Sequence, residues 1–133
     1  MTHLLDTDVV IDILRHDPTV RARLEPLGSG VAISSITLME LTFGIWRSNR
    51  PEANGAAVDR FLDFVSVLDF GVEAARDAGR IRAELAAQGL PIGGYDVLIA
   101  GHARALGLTL ATRNVREFSR VAGLSVADWR RGR

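Results

Sequence analysis

The sequence predicts one α/β domain in which a mostly parallel sheet of about five strands lies between two layers of helices. Short apolar runs alternate with helix-like periodic segments along the whole chain, the order expected for a parallel sheet covered on both faces. The 133 residues, of which 47% are apolar, suffice for one substantial core. No repeat, low-complexity tract or linker divides the sequence. We therefore expect a single domain spanning residues 1–133.

The five predicted strands are short apolar runs at residues 3–5, 31–33, 67–68, 108–111 and 124–126. Several helix boundaries carry clear signals. Pro18 suits the first turn of a helix, Ser34 or Ser35 suits an N-cap, and Gly89 suits the position just after the longest helix. The predicted helices cover residues 8–15, 18–24, 35–46, 56–65, 72–88, 95–106 and 114–121. Residues 49–55 are predicted to form a polar loop.

Composition excludes several kinds of site. The chain has no cysteine, which rules out disulfides, thiolate metal sites and thiol nucleophiles. It has no lysine either, which rules out Schiff-base and Walker-type lysine chemistry. The 16 arginines balance 16 acidic residues, so no global field attracts a polyanion. A local arginine patch could still bind nucleic acid, because guanidinium groups suit phosphate.

No segment reads as a signal peptide or a membrane span. Asp6 and Asp8 interrupt the apolar start, and His102 and Arg104 interrupt the best candidate for a bilayer-spanning run. We therefore expect a cytoplasmic protein with no membrane partner.

Asp6 directly follows the first predicted strand. In open α/β sheets ligands bind at the carboxyl ends of the strands, and a buried carboxylate is costly unless something positive meets it. We therefore interpret Asp6 as a functional group. In the alternative interpretation Asp6 and Asp8 only cap the next helix, a role that fits Asp8 better. Asp12 is expected to be solvated.

Two further acids stand in apolar surroundings. Glu40 has the apolar residues Ile36 and Phe43 one turn away, so a solvent-facing position is not obvious and a functional role is favoured. In the alternative interpretation Glu40 lies on the solvent-exposed edge of an amphipathic helix. Asp96 enters the first turn of an apolar helix just after Gly93 and Gly94. A helix N-terminus favours an anion there, but such an acid can also face the crevice at the strand ends.

The segment from Thr112 to Asn114 follows the fourth predicted strand and should emerge at the same sheet edge as Asp6. Asn114 could cap the next helix, with Glu117 completing a capping box, or it could accept a hydrogen bond from metal-bound water. His102 is expected to be a surface histidine, with no second histidine spaced to join it in a metal site.

Three carboxylates without cysteine or histidine ligands indicate a hard cation, Mg²⁺ or Mn²⁺. Without a cation, Asp6, Glu40 and Asp96 would raise one another's pKa values by repulsion. A bound cation activates water and takes up charge on a phosphoryl oxygen, so a phosphodiester is the expected substrate.

Four motifs, in this order, resemble those of PIN domains, and more narrowly those of the VapC toxins of type II toxin–antitoxin pairs. They begin at Asp6, Ser34, Gly94 and Thr112, and read DTD, SSITLMEL, GYDVLIA and TRN. The similarity covers essentially the whole chain. It implies a three-layer α/β/α PIN-like fold and a Mg²⁺-dependent endoribonuclease that cuts structured RNA such as a tRNA anticodon loop. It also implies a homodimer and a cognate antitoxin, with DNA bound only through that antitoxin.

The resemblance also assigns roles by position. Asp6, Glu40 and Asp96 match the acidic triad of the family. Asn114 matches a fourth position that is often Asp, and Glu117 lies one turn on. The residues expected to assist the triad are Thr7 and Thr112 as orienting groups and Arg113 and Arg116 as contacts to RNA phosphates.

Two other functions are compatible with parts of the sequence. Asp6 and Asp8 resemble the nucleophile and acid of haloacid-dehalogenase-type phosphatases, but that class requires a lysine and a cap insertion. A non-catalytic dimeric module, such as a receiver domain or a DNA-bound regulator, is the third hypothesis. Four aromatic residues could form a dimer interface or belong to the core: Phe43, Trp46, Phe61 and Phe64.

Overall fold

The computed structural model describes residues 1–131, and among them five strands form one parallel sheet. The strands are β1 (His3–Leu5), β2 (Val31–Ser34), β3 (Ser66–Leu68), β4 (Thr109–Ala111) and β5 (Val126–Ala127). Their order in the sheet is β3-β2-β1-β4-β5, and all neighbouring pairs run parallel. The chain moves outward from β1 through β2 to β3 and then returns to place β4 on the other side of β1. The strand order therefore reverses between β1 and β4, which is where open α/β sheets form their ligand crevice.

Helices cover both faces of this sheet. They are α1 (Thr7–Leu14), α2 (Pro18–Leu24), α3 (Ser35–Arg47), α4 (Pro51–Leu62), α5 (Val72–Gln88), α6 (Gly94–Leu106) and α7 (Val115–Phe118). Two short 3₁₀ segments, Glu25–Leu27 and Trp129–Arg131, complete the described chain. Among residues 1–131, no helix is both long enough and apolar enough to cross a membrane.

Alternate strand residues feed two separate apolar cores, as the two-residue period of a strand requires. Leu5 and Ile33 belong to the core beneath α1 to α4, whereas Leu4 and Leu110 belong to the core beneath α5 and α6. Both faces of the central strands are thus buried, which explains why these runs are continuously apolar. The predicted three-layer fold is confirmed.

Gly101 on α6 allows this helix to cross α5 at close range. A Cβ added to Gly101 would lie 2.6 Å from both the Cα and the backbone nitrogen of Ala78. The same pair of helices is braced by Arg104, whose guanidinium donates to both carboxylate oxygens of Asp77 at 2.8 and 2.9 Å. Arg104 also donates to the carbonyl of Ala122 at 2.8 Å, which ties this pair of helices to the C-terminal segment.

Most predicted boundaries are displaced by only a few residues, and one prediction is wrong. Residues 49–55 do not form a loop, because α4 already begins at Pro51. Proline is favoured at that position, since its missing N–H would be unpaired there anyway. Of the two aromatic residues predicted on this helix, Phe61 is buried, whereas Phe64 is 75% exposed because the helix ends before it.

The burial of two polar residues was also predicted wrongly. Asp12 is only 8% exposed and His102 only 2% exposed. His102 shares a 2.9 Å hydrogen bond with the Ser34 hydroxyl, and its ring packs edge-on against Phe70. Both partners lie on distant parts of the chain, so helical spacing alone could not reveal them.

We expect Gly101→Ala to destabilise the protein by about 1–3 kcal/mol, because the new methyl group must push α5 and α6 apart. Urea denaturation measures this change directly. Gly79→Ala is the matched control, since a Cβ at this exposed helical position meets nothing within 4 Å. The control should leave the free energy of unfolding unchanged or raise it by up to about 1 kcal/mol. Equal effects of the two substitutions would contradict the close crossing.

Candidate active site at the strand ends

Asp6 lies at the carboxyl end of β1, beside the reversal point of the sheet. Its backbone N–H donates to the carbonyl of Ala111 at the end of β4, at 2.9 Å. One carboxylate oxygen accepts from the Thr7 N–H at 2.9 Å, and the other accepts from the Thr112 hydroxyl at 2.8 Å. Asp6 is therefore the N-cap of α1, and the prediction that Asp8 fits that role better is wrong. Capping uses only one of the two oxygens of Asp6, and the other accepts from Thr112, which directly follows β4.

The environment of Asp6 disfavours its charge. The residue is 6% exposed, and burial together with the neighbouring Asp8 and Asp96 raises its pKa to about 7. Hydrogen bonds from Thr112 and Thr7 act in the opposite direction by favouring the carboxylate. Asp6 thus combines a strand-end position with a strongly perturbed pKa, a combination typical of functional sites.

Asp8 belongs to the same acidic cluster, although the sequence suggested only a helix cap or the acid of a phosphatase. Its Oδ2 accepts from the backbone N–H of Arg113 at 3.1 Å and lies 3.4 Å from the Thr112 hydroxyl. Its Oδ1 is buried and has no hydrogen-bond partner among the described residues. Burial raises the pKa of Asp8, against the effect of the Arg113 N–H. Its partners Thr112 and Arg113 lie more than a hundred residues away, so no local signal could reveal its place in the cluster.

Glu40 reaches the cluster from α3, which begins at the carboxyl end of β2. Ser34 caps that helix by accepting from the Ile36 N–H at 3.0 Å. The Thr7 hydroxyl donates to Glu40 Oε1 at 2.8 Å, so Glu40 is tied to the residue next to Asp6. Thr37, which lies three residues before Glu40 on the same helix, is fully buried.

Asp96 lies half-buried in the first turn of α6 and is repelled by the other acids. Burial raises its pKa, and the carboxylates of Glu117, Glu40 and Asp8 raise it further. Gly93 makes room for this side chain, because a Cβ there would lie 2.9 Å from Asp96 Oδ2. Repulsion of this kind requires proximity, so acids from α1, α3, α6 and α7 share one electrostatic environment.

Asn114 does not cap the helix that follows it; no side-chain cap is formed there. Its amide instead donates to Glu117 Oε2 at 2.6 Å, and its backbone N–H donates to the Thr112 hydroxyl at 3.0 Å. The capping-box prediction is therefore wrong, because α7 is a single short turn in which the two side chains bond to each other. Arg116 is exposed on α7, whereas Arg113 faces Asp8 and Asp12.

The structure brings these acids together without forming a complete coordination sphere. Within residues 1–131, no group of three carboxylate or imidazole side chains is arranged to hold one metal ion. Carboxylates without a counter-ion repel one another, and three acids each have one oxygen bonded to a hydroxyl or amide: Glu40 to Thr7, Asp6 to Thr112 and Glu117 to Asn114. The acids therefore influence one another's pKa values, but they do not form a preformed metal site among the described residues.

Comparison with known proteins identifies the family. The model of the PIN domain family matches residues 3–124. A "tRNA(fMet)-specific endonuclease VapC" from Shigella flexneri is 46% identical over 127 residues, which are 95% of this chain and 96% of that protein. "Ribonuclease VapC2" from Haemophilus influenzae is 38% identical over 97% of this chain and 98% of that protein.

The chain belongs to the VapC ribonucleases of the PIN domain family.

Solved VapC structures share its fold closely. The DNA-bound VapBC complex from Salmonella typhimurium gives a TM-score of 0.93 at 45% identity, covering 97% of this chain and 98% of that one. The DNA-bound VapBC2 complex from Rickettsia felis gives 0.92 at 36% identity, over 97% and 99%.

PIN-domain nucleases generally depend on a divalent metal ion, and the donor set of this VapC chain fits such an ion chemically. The available ligands are carboxylate oxygens, which hard cations prefer. Asp8 has a buried oxygen without a hydrogen bond among the described residues, and burial together with neighbouring acids raises the pKa values of Asp6 and Asp96. A divalent cation bound by these carboxylates would supply the missing positive charge.

We expect the metal-free protein to lose stability as the pH rises from about 4 to about 7. Asp6 keeps its proton up to a pKa of about 7 when folded but loses it near 3.8 when unfolded. In this window the folded state binds more protons, so the free energy of unfolding falls with rising pH. Asp6→Asn removes this contribution and still caps α1, because Asn is an equally good N-cap.

Urea denaturation in EDTA at pH 5 and pH 7.5 measures the effect. The substitution should flatten the pH dependence relative to the wild type, whereas Asp59→Asn, at an exposed position on α4, should leave it unaltered. The same slope in the wild type and in Asp6→Asn would contradict the raised pKa.

Proposed function

We propose that this chain is a Mg²⁺-dependent endoribonuclease toxin of a type II toxin–antitoxin pair and that it cleaves tRNA. The observation that carries the proposal is the meeting of Asp6, Glu40 and Asp96 in one electrostatic environment at the reversal point of the sheet. Asp6, Glu40 and Asp96 would hold the ion, and Mn²⁺ could replace Mg²⁺. When bound, the ion supplies an activated water and takes up charge on the phosphoryl oxygen.

The neighbouring polar residues have supporting roles. Thr112 fixes one oxygen of Asp6, and Thr7 fixes one oxygen of Glu40, so both hydroxyls orient carboxylates. Asn114 holds Glu117 at the edge of the cluster and so places a further acid near Asp96. We assign Asn114 to the catalytic site and Glu117 to its support.

Arginines near the site are the candidate contacts to RNA phosphates. Arg116 is exposed and forms no ion pair within the described part of the chain, so its guanidinium is free to meet a phosphate. Arg113 is 39% exposed at its side chain but already faces two carboxylates, so a phosphate would have to compete with them.

The choice of RNA and partners rests on the relatives. Two proteins that are 46% identical to this chain are tRNA(fMet)-specific endonucleases, which favours the initiator tRNA as substrate. Related solved structures are complexes with an antitoxin, two of them bound to DNA. We therefore propose a cognate antitoxin as partner, contact with DNA through that antitoxin, and the cytoplasm as the location. Phe43 and Trp46 are exposed on α3 and available to a homodimer, whereas Phe61 belongs to the core.

No observation favours the alternatives. The phosphatase hypothesis lacks its lysine, and the chain belongs to a nuclease family.

We expect Glu40→Gln and Asp96→Asn each to lower the cleavage rate on the order of 100-fold or more, because each removes a charge that would hold the ion. Cleavage of purified initiator tRNA in Mg²⁺, followed on denaturing gels, measures this. EDTA should abolish cleavage by the wild type, and added Mg²⁺ should restore it.

Circular dichroism and thermal unfolding should show both variants folded, and Asp59→Asn should cleave like the wild type. Cleavage that persists in EDTA would overturn the metal requirement. Equal cleavage of an elongator tRNA would overturn the choice of the initiator tRNA but not the nuclease assignment.

A further inference from the structure

Arg113 lies between two carboxylates of α1 and forms what we call the Arg113 clasp, made of Arg113, Asp8 and Asp12. Its Nε is 3.9 Å from Asp8 Oδ2 and 3.6 Å from Asp12 Oδ2. Its backbone N–H also donates to Asp8 Oδ2 at 3.1 Å. One residue at the end of β4 therefore faces two acids that lie one turn apart on α1.

Neither acid of the clasp is fully satisfied by hydrogen bonds. Asp12 is 8% exposed, and its Oδ2 has no hydrogen-bond partner among the described residues. Asp8 Oδ1 is likewise buried and without a hydrogen bond in the described part of the chain. Buried carboxylates in this state require a cation nearby, and among the described residues the Arg113 guanidinium lies within ion-pair distance of both.

Arg130 interacts with both acids only at longer range: Asp8 and Asp12 help to raise its pKa, but it forms no ion pair with either among the described residues. Its guanidinium is paired with Asp128 at 3.0 Å and donates to the backbone carbonyl of Arg113 at 3.2 Å. This hydrogen bond from Arg130 helps to fix the backbone of Arg113. The sum of charges over Asp8, Asp12, Asp128, Arg113 and Arg130 is −1, and it becomes −2 when Arg113 is neutralised.

The clasp is adjacent to the proposed metal site. The Thr112 hydroxyl lies 2.8 Å from Asp6 Oδ2 and 3.4 Å from Asp8 Oδ2, so a single side chain separates the two groups of acids. One group contains Asp6 with Glu40 and Asp96, and no arginine forms an ion pair with these three among the described residues. The other group contains Asp8 and Asp12, and it already holds a cation that belongs to the protein.

We propose that the Arg113 guanidinium occupies the place of a second divalent cation, so that this chain binds one such ion and not two. The inference rests on the proposed function, because it takes the single ion to be held by Asp6, Glu40 and Asp96. A fixed positive charge at Asp8 and Asp12 repels a further cation and uses the oxygens that would bind it. The same charge holds the segment from Thr112 to Asn114 against α1 when no ion is bound.

The test counts bound Mn²⁺ ions per chain in the absence of RNA. Isothermal titration calorimetry and the electron paramagnetic resonance signal of free Mn²⁺ give two independent counts. The wild type should bind one ion. Arg113→Gln should bind two, because Asp8 and Asp12 are then uncompensated; Arg113→Met should do the same and covers the case in which the first variant fails to fold.

Three controls separate charge from other effects. Arg113→Lys keeps the positive charge and should still bind one ion. Arg116→Gln removes an equal charge from the exposed neighbouring helix turn and should also bind one. The double variant Asp12→Asn with Arg113→Gln should return to one ion, because it removes an acid together with the arginine.

Each remaining outcome contradicts the proposal. Two ions in the wild type, or one ion in both neutral variants of Arg113, would overturn the role of Arg113 and leave the proposed nuclease function standing. Two ions in Arg116→Gln would show that overall charge, and not the clasp, sets the count. No bound ion in the wild type would overturn the metal-dependent function itself, and this inference with it.

Discussion

The fold of this chain depends on one buried carboxylate that joins three elements at once. Asp6 connects β1 to β4 through its backbone, caps α1 with one oxygen and accepts from Thr112 with the other. Each of these bonds also fixes where the carboxylate points. The carboxylate that caps α1 is the same group that we propose to hold the metal ion, so the capping interpretation of Asp6 is correct and is compatible with the proposed catalytic role.

This arrangement has an energetic cost that the rest of the domain offsets. Several acids near the strand ends are buried and near one another, so their pKa values are raised, and they oppose folding when ionised. Two apolar cores, one on each face of the sheet, supply the opposing stabilisation. The bidentate pair of Arg104 with Asp77 adds to this, and it lowers the pKa of Asp77, so the acid there is stabilised rather than destabilised. The charge of Asp77 is thus compensated by Arg104, whereas Asp6 and Asp96 form no ion pair with an arginine among the described residues.

Much of the fold followed from local signals, since these signals act within a few residues. Pro18 and Gly89 stand where they were expected, because the chemistry of a helix end depends on its own backbone. Burial of polar side chains could not be predicted in the same way. Asp12 pairs with Arg113, and His102 shares a hydrogen bond with Ser34; these partners are distant in the sequence and are brought close by the order of the strands. The position of Asp6 at a strand end was visible in the sequence; the involvement of Asp8 was not, because its partners Thr112 and Arg113 lie more than a hundred residues away.

The distribution of charge also determines how a polyanion can approach the site. The chain carries no net charge, so the domain as a whole neither attracts nor repels RNA. Close to the strand ends the field is negative, because acids outnumber the arginines that face them, and a phosphate would be repelled there. Attraction must therefore come from exposed arginines beside the acids, such as Arg116, and from whatever neutralises Asp6, Glu40 and Asp96. A phosphate placed among the acids would lose more electrostatic energy than it gains unless flanking arginines and a bound cation offset the repulsion.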